Sequence, residues 1–272
     1  MKFLKSALIF VILLSVLLCS SCDILSNDIK ICEELAKQTL TSLFSFNYTE
    51  HFSLFQTEII NAMIIDEYFT PYGFTYDQAL AKIDETAKDC MAFNDVKFEI
   101  EVESVSFSPA LKEDFWEYNK SVFEELNLDI SKVSSIALCT FKSFRAIYND
   151  TFYLTNLDYV KSIRLYKYDG RWYVDRRYLD DDLPIDLLES DKDTNPGVAY
   201  KTKSASGVIQ SIEYGYINLG DELYFLTENA SDFLPGDRVT ITYYYFSAIF
   251  KKLSDNSTAL LHCVTSINKT DK

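Results

Sequence analysis

The chain has 272 residues, 41 acidic and 26 basic, for a formal net charge of −15. With 48% hydrophobic residues, 19 Tyr and 20 Phe, it can build a core and more than one structural unit, which excludes a largely disordered chain. So acidic a surface repels phosphate backbones and anionic lipid alike, so nucleic acid is excluded as a partner and membrane attachment requires an apolar anchor.

The chain opens with Lys2 and Lys5, runs apolar from Ala7 to Cys19 with Ser15 interrupting, and then meets Ser20, Ser21 and Cys22. This run is shorter than the roughly 20 residues of a membrane-crossing helix, so residues 1–21 read as a signal peptide. Leu18, Ser20, Ser21 and Cys22 resemble a bacterial lipobox, in which cleavage precedes a cysteine carrying lipid on its sulfur. A conventional cut after Ser21 and retention of the uncleaved segment are the alternatives. Lipid on Cys22 implies an extracytoplasmic protein held to a bacterial membrane by its acyl chains, at about 0.8 kcal/mol per buried CH2. Residues 22–28 then form a tether, and the mature chain carries 24 basic against 41 acidic side chains, or −17.

In "DIKICEELAKQTLTSLFSF", Ile31, Cys32, Leu35, Thr39, Leu43 and Phe44 fall at helical spacing. A second helix is expected from an N-cap at Thr49, carrying Phe52, Phe55, Ile59, Ile60 and Met63. It places His51 in a first turn facing solvent. A third follows "TPYGFTYD" with Leu80, Ile83, Ala87 and Met91. These apolar stripes read as core. "VKFEIEVESVSF" alternates as a strand at Val96, Phe98, Ile100 and Val102, then changes phase to Val105 and Phe107, which predicts a bulge near Ser104. A helical insertion, "PALKEDFWEYNKSVFEELNL", precedes a strand at about 135–149. "SIRLYKYDGRWYVDRRYL" then sets Asp169 and Gly170 between two aromatic strands, the chemistry of a type I′ hairpin.

Helices first and antiparallel strands second give an α+β unit. Over residues 29–180 this order, ending in "YKYDGRWYVDRRYL", resembles the NTF2-like superfamily, whose cone-shaped fold packs helices on a curved antiparallel sheet. The resemblance lies in architecture rather than in a motif, and the insertion from Pro109 to Leu128 departs from the minimal pattern. The superfamily includes enzymes, binding proteins and scaffolds, so it leaves function open.

"DDDLPIDLLESDKDTNPG" reads as an acidic linker over 181–197. Five of the seven glycines follow residue 195, where charge is also nearly balanced, with 7 basic and 8 acidic residues. Short strands separated by "LGDE" and "LPGDR" predict a small all-β barrel over 198–272, similar to OB-like domains. Tyr243, Tyr244 and Tyr245 are consecutive, so they alternate between faces and form no stacking platform for bases.

Candidate chemistry is sparse. Adjacent strand residues point to opposite faces, which excludes a dyad between His262 and Cys263. Cys32, Cys90, Cys139 and Cys263 lack zinc spacing. Cys32 and Cys90 lie on neighbouring expected helices and make the most plausible disulfide, with Cys139 and Cys263 as buried strand residues. Asp191, Asp193 and Asn195 imitate an EF-hand start, but Pro196 stands where glycine is needed and Thr202 replaces the bidentate glutamate. No cofactor or metal site is expected. The reading favoured is a non-enzymatic, membrane-anchored lipoprotein that binds a protein or small-molecule partner through its acidic NTF2-like domain. The alternative is an isomerase-like or hydrolytic enzyme using the cone pocket, with Asp175 as base and tyrosines as oxyanion donors.

Overall fold

The computed structural model describes residues 26–45, 47–66, 69–90, 96–154, 160–180, 202–213, 215–220, 222–227, 229–244 and 250–270. Cys22, the signal segment and the acidic linker lie outside these residues.

A helix α1 covers residues 26–44. Its buried stripe of Cys32, Ala36, Leu40 and Leu43 follows the expected spacing. The second expected helix is divided into α2 (Tyr48–Ser53) and α3 (Thr57–Ile60), and α3 runs on as a π-helical turn over Asn61–Ile65. The N-cap is Asn47 rather than Thr49, its side chain accepting from Glu50 N at 3.3 Å. Thr49 instead bonds Asp84 on α4 (Tyr76–Cys90) through both backbone N–H and hydroxyl.

Strand β1 (Val96–Ser106) pairs antiparallel with the 16-residue β2 (Val133–Tyr148), and its register shifts between Glu101 and Ser104, where the phase change predicts a bulge. Between them lies α5 (Pro109–Glu125), capped by Ser108 with Pro109 in the first turn. On its other side β2 pairs with β3 (Phe152–Leu154) and β4 (Ser162–Tyr168), and β4 pairs with β5 (Arg171–Val174). Asp169 and Gly170 both take positive φ, 49° and 83°, as a type I′ turn demands. A single turn, α6 (Arg177–Asp180), follows.

The second half contributes β6 (Thr202–Val208), β7 (Ser211–Glu213), β8 (Tyr216–Gly220), β9 (Leu223–Leu226), β10 (Arg238–Tyr244), β11 (Phe250–Lys252) and β12 (Thr258–Lys269). Their order is β6-β10-β12-β9-β8-β7, with β9 and β12 parallel and the other pairs antiparallel. No ladder joins β6 to β8 among the described residues, so the expected barrel does not close. A Cβ added at Gly207 of β6 would lie 3.5 Å from Leu219 Cβ of β8, so the two strands come close there without pairing.

β11 pairs with both β3 and β12, and through it all twelve strands form one mixed sheet. Tyr216, Tyr224, Phe250, Ala259 and Leu261 accordingly belong to the same apolar core as the helices of the first half. A smaller core of Ile209, Ile217, Phe225, Ala230, Phe233, Val239, Ile241 and Tyr243 lies within the second half. The molecule is α+β, with a helical N-terminal part and a large open sheet.

Candidate functional site

The β4–β5 hairpin sends its side chains to two different environments. Lys167 and Trp172 are cross-strand partners, and both bond Asp28 near the start of α1, at 2.9 and 3.0 Å. On the same face Cys139, opposite Ile163, donates its thiol proton to Cys32 O at 3.3 Å. Cys32, Ala36, Cys139, Ile163 and Leu165 are all completely buried there. Tyr166 and Tyr173, the next cross-strand pair, point the other way and meet α5, where the Phe115 ring lies 5.0 Å and the Phe123 ring 6.0 Å from that of Tyr166. The sheet is therefore clamped between α1 and α5.

On the α5 face the pairing continues one residue past β5, with Asp175 N donating to Arg164 O at 3.0 Å. This sets the two side chains next to each other. Asp175 is wholly buried. Its Oδ1 accepts from Asn119 Nδ2 and from Arg177 N, both at 3.2 Å, while Oδ2 stands 3.8 Å from Arg164 Nη1. Arg164, whose side chain is 9% exposed, ion-pairs through Nη2 with Asp114, which is 52% exposed. Arg177 approaches the other oxygen of Asp114 at 3.7 Å. Tyr118 lies against two guanidinium groups, those of Arg176 and Arg177, at 4.4 and 4.3 Å from its ring centre. Asp114, Tyr118 and Asn119 thus form a polar seam along α5, beside the buried rings of Phe115 and Phe123.

Burial raises the pKa of Asp175, and the hydrogen bonds from Arg177 N and Asn119, with the charges of Arg164 and Arg177, pull against that rise. Burial also lifts the Tyr178 phenol to about 12. Its hydroxyl donates to Ser162 O at 2.8 Å and accepts from Arg164 N at 3.0 Å, while the Tyr166 hydroxyl donates to Gln56 Oε1 at 2.8 Å. Both phenols nearest Asp175 are therefore committed to protein groups. Arg164 Nε and Nη1, Asp175 Oδ2 and Arg177 Nε are buried without a hydrogen-bond partner, an unusual concentration for one site.

Asp175 is buried, and its ion-pair partner Arg164 comes from across the hairpin, while Arg177, two residues on, supplies a backbone N–H. A turn at Asp169–Gly170 sets 168 opposite 171, and counting outward puts Arg164 opposite Asp175. That count is the signal in the sequence that identifies the pair.

His51 does not face solvent. It is completely buried, its Nδ1 3.1 Å from Ser42 Oγ and its ring against Phe55 and Phe52. Ser42 donates its own proton to Gln38 O at 2.6 Å, so its oxygen is left to accept from His51 Nδ1. Burial lowers the imidazole pKa to about 4. His262 and Cys263 are consecutive on β12, and both are buried. The ring of His262 lies 4.5 Å from that of Tyr243 and 5.6 Å from that of Phe225. Cys32 is a buried free thiol whose backbone carbonyl accepts from Cys139; the Cys90 side chain, and with it the expected bridge, lies outside the described residues. Among the described residues no three His, Cys, Asp or Glu side chains gather as metal ligands, and no helix is long and apolar enough to cross a membrane. An open cavity of about 620 Å³ lies along α4, lined by Gly73, Phe74, Gln78, Ala81, Lys82 and Glu85, none of them in the seam.

No protein-family model, curated protein or solved structure matches the chain.

Proposed function

We propose that this chain is a membrane-anchored extracytoplasmic bacterial lipoprotein that catalyses no reaction and binds a protein partner or small ligand through its acidic first half. In this reading the first half is NTF2-like and the second OB-like. The order of three helical segments, a long bulged strand pair and a terminal hairpin supports the first assignment. An open Greek-key arrangement around a small apolar core supports the second.

The observation that carries the non-enzymatic reading is the division of the β4–β5 hairpin. The face against α1, where a cone pocket would lie, is filled by fully buried Cys32, Ala36, Cys139, Ile163 and Leu165. Asp175, the carboxylate for an isomerase or hydrolase mechanism, points to the opposite face, where α5 covers it. Its oxygens meet Asn119, Arg177 N and Arg164, with no open approach for a substrate proton.

Mass spectrometry of the mature N-terminus tests the anchor. Diacylglycerol on Cys22 is expected, with release from the membrane in Cys22→Ala; a bare Cys22 or Asp23 terminus refutes it. For the chemistry, an isomerase or esterase activity abolished by Asp175→Asn in a folded protein would favour the enzyme alternative.

A further inference from the structure

We propose that the rim of the seam, where Asp114 spans Arg164 and Arg177, binds a small organic monocarboxylate, and that Asp114 stands in for the ligand's carboxylate. This rests on the ligand-binding reading of the first half and names the ligand class.

The donors face an incomplete acceptor. Arg164 is nine-tenths buried, its Nε without a hydrogen-bond partner and its Nη1 held only at ion-pair distance, 3.8 Å, from Asp175, and Arg177 Nε has no hydrogen-bond partner either. Asp114 answers them with one close contact to Arg164 and a 3.7 Å approach to Arg177, beyond hydrogen-bond length. Its reach is limited because its backbone is fixed in α5. A carboxylate free of that restraint can present both oxygens to the two guanidinium groups, the arrangement in which arginine binds carboxylates best.

Displacing Asp114 is inexpensive. Its side chain is 52% exposed and needs only to rotate outward, while Asp175 stays beneath to balance Arg164. With Asp114 turned away, the guanidinium groups of Arg164 and Arg177 are left with the single carboxylate of Asp175, one positive charge in excess within the seam of a chain of net charge −15. That overall charge also selects among anions. Long-range repulsion grows with ligand charge, so a monoanion is admitted more readily than a phosphate dianion. Stacking of Tyr118 against Arg177 holds one half of the fork in place.

The test uses the purified full chain, titrated at constant ionic strength with acetate and benzoate, and in parallel with chloride and inorganic phosphate. Trp116, two residues beyond Asp114 on α5, serves as fluorescent reporter and calorimetry as the second readout. Saturable binding of the carboxylates is expected, with dissociation constants on the order of 1 mM for such small ligands. Asp114→Asn should tighten it about tenfold, and Arg177→Gln should weaken it about tenfold, with circular dichroism confirming that both variants fold. Three results overturn the proposal: no saturable binding to wild type or Asp114→Asn, binding indifferent to both substitutions, or an equal response to chloride and phosphate. Binding indifferent to both substitutions would place the ligand elsewhere and leave the non-enzymatic reading intact, since the lipid analysis and the Asp175→Asn assay decide that separately.

Discussion

Protonating His51 means placing a charge between Ser42, Phe52 and Phe55 at a position with no exposure to solvent. Burial holds its pKa at about 4 against an ordinary 6.5, so between these values the unfolded chain binds a proton that the folded chain refuses. Stability from this residue is complete above about pH 6.5 and declines as pH falls toward 4, by roughly 3 kcal/mol in all. Asp175 acts with the opposite sign. Its raised pKa lets the folded chain keep a proton the unfolded chain has lost, so its contribution is present at low pH and withdrawn as pH rises through the folded value. Urea unfolding at pH 7 and pH 5 should show a lower midpoint at pH 5, and His51→Gln should shrink that difference; an unchanged difference would place the acid sensitivity elsewhere. Arg164→Met should cost about 3–5 kcal/mol by leaving the buried Asp175 carboxylate without its ion-pair partner. Adding Asp175→Asn should restore part of that loss, whereas simple additivity in the double-mutant cycle would mean the two groups do not interact. The burial of His51 is not legible in the sequence, because its position in the first turn of a short helix carries no sign that α1 lies over it.

Periodicity was informative where an element is long or its turn chemistry strict. The stripe of α1, the bulge in β1, the insertion helix and the Asp169–Gly170 hairpin can all be read from residue types alone. Short elements carry too few residues for a period. The break between α2 and α3 falls inside an unbroken apolar pattern, and the three-residue β11 has no signature of its own. The insertion helix also shows what periodicity omits: apolar spacing marks Phe115 and Phe123 as core, but only the hairpin register reveals which face of the sheet they cover. Phe123→Ala removes a fully buried ring that contacts Phe115, Tyr166 and Tyr168. Chemical denaturation should show a loss of about 3–5 kcal/mol; a loss under 1 kcal/mol would mean α5 rests loosely on the sheet.

Joining the halves through β3, β11 and β12 ties residues about a hundred positions apart, a pairing that no local pattern announces. Both tryptophans, Trp116 and Trp172, lie in the first half, so their fluorescence reports on that half alone. Phe250, in β11, packs edge-on against Tyr148 at 5.3 Å. Phe250→Ala should therefore lower the unfolding midpoint seen by tryptophan fluorescence together with that seen by circular dichroism. A fluorescence midpoint that stays put would show the halves unfolding independently. The start of α1 bears on the whole molecule in another way. At the first described residues of the helix, from 26 on, Asp28 fastens it to Lys167 and Trp172. If Cys22 carries the lipid, the few intervening residues span at most about 15 Å. The protein is then moored by one corner of its sheet rather than trailing on a leash, and its negative charge is held roughly one or two Debye lengths from the headgroups. Acylated protein should leave vesicles rich in anionic lipid as ionic strength is lowered and remain on zwitterionic ones, so membrane composition would set how firmly the molecule stays at its berth.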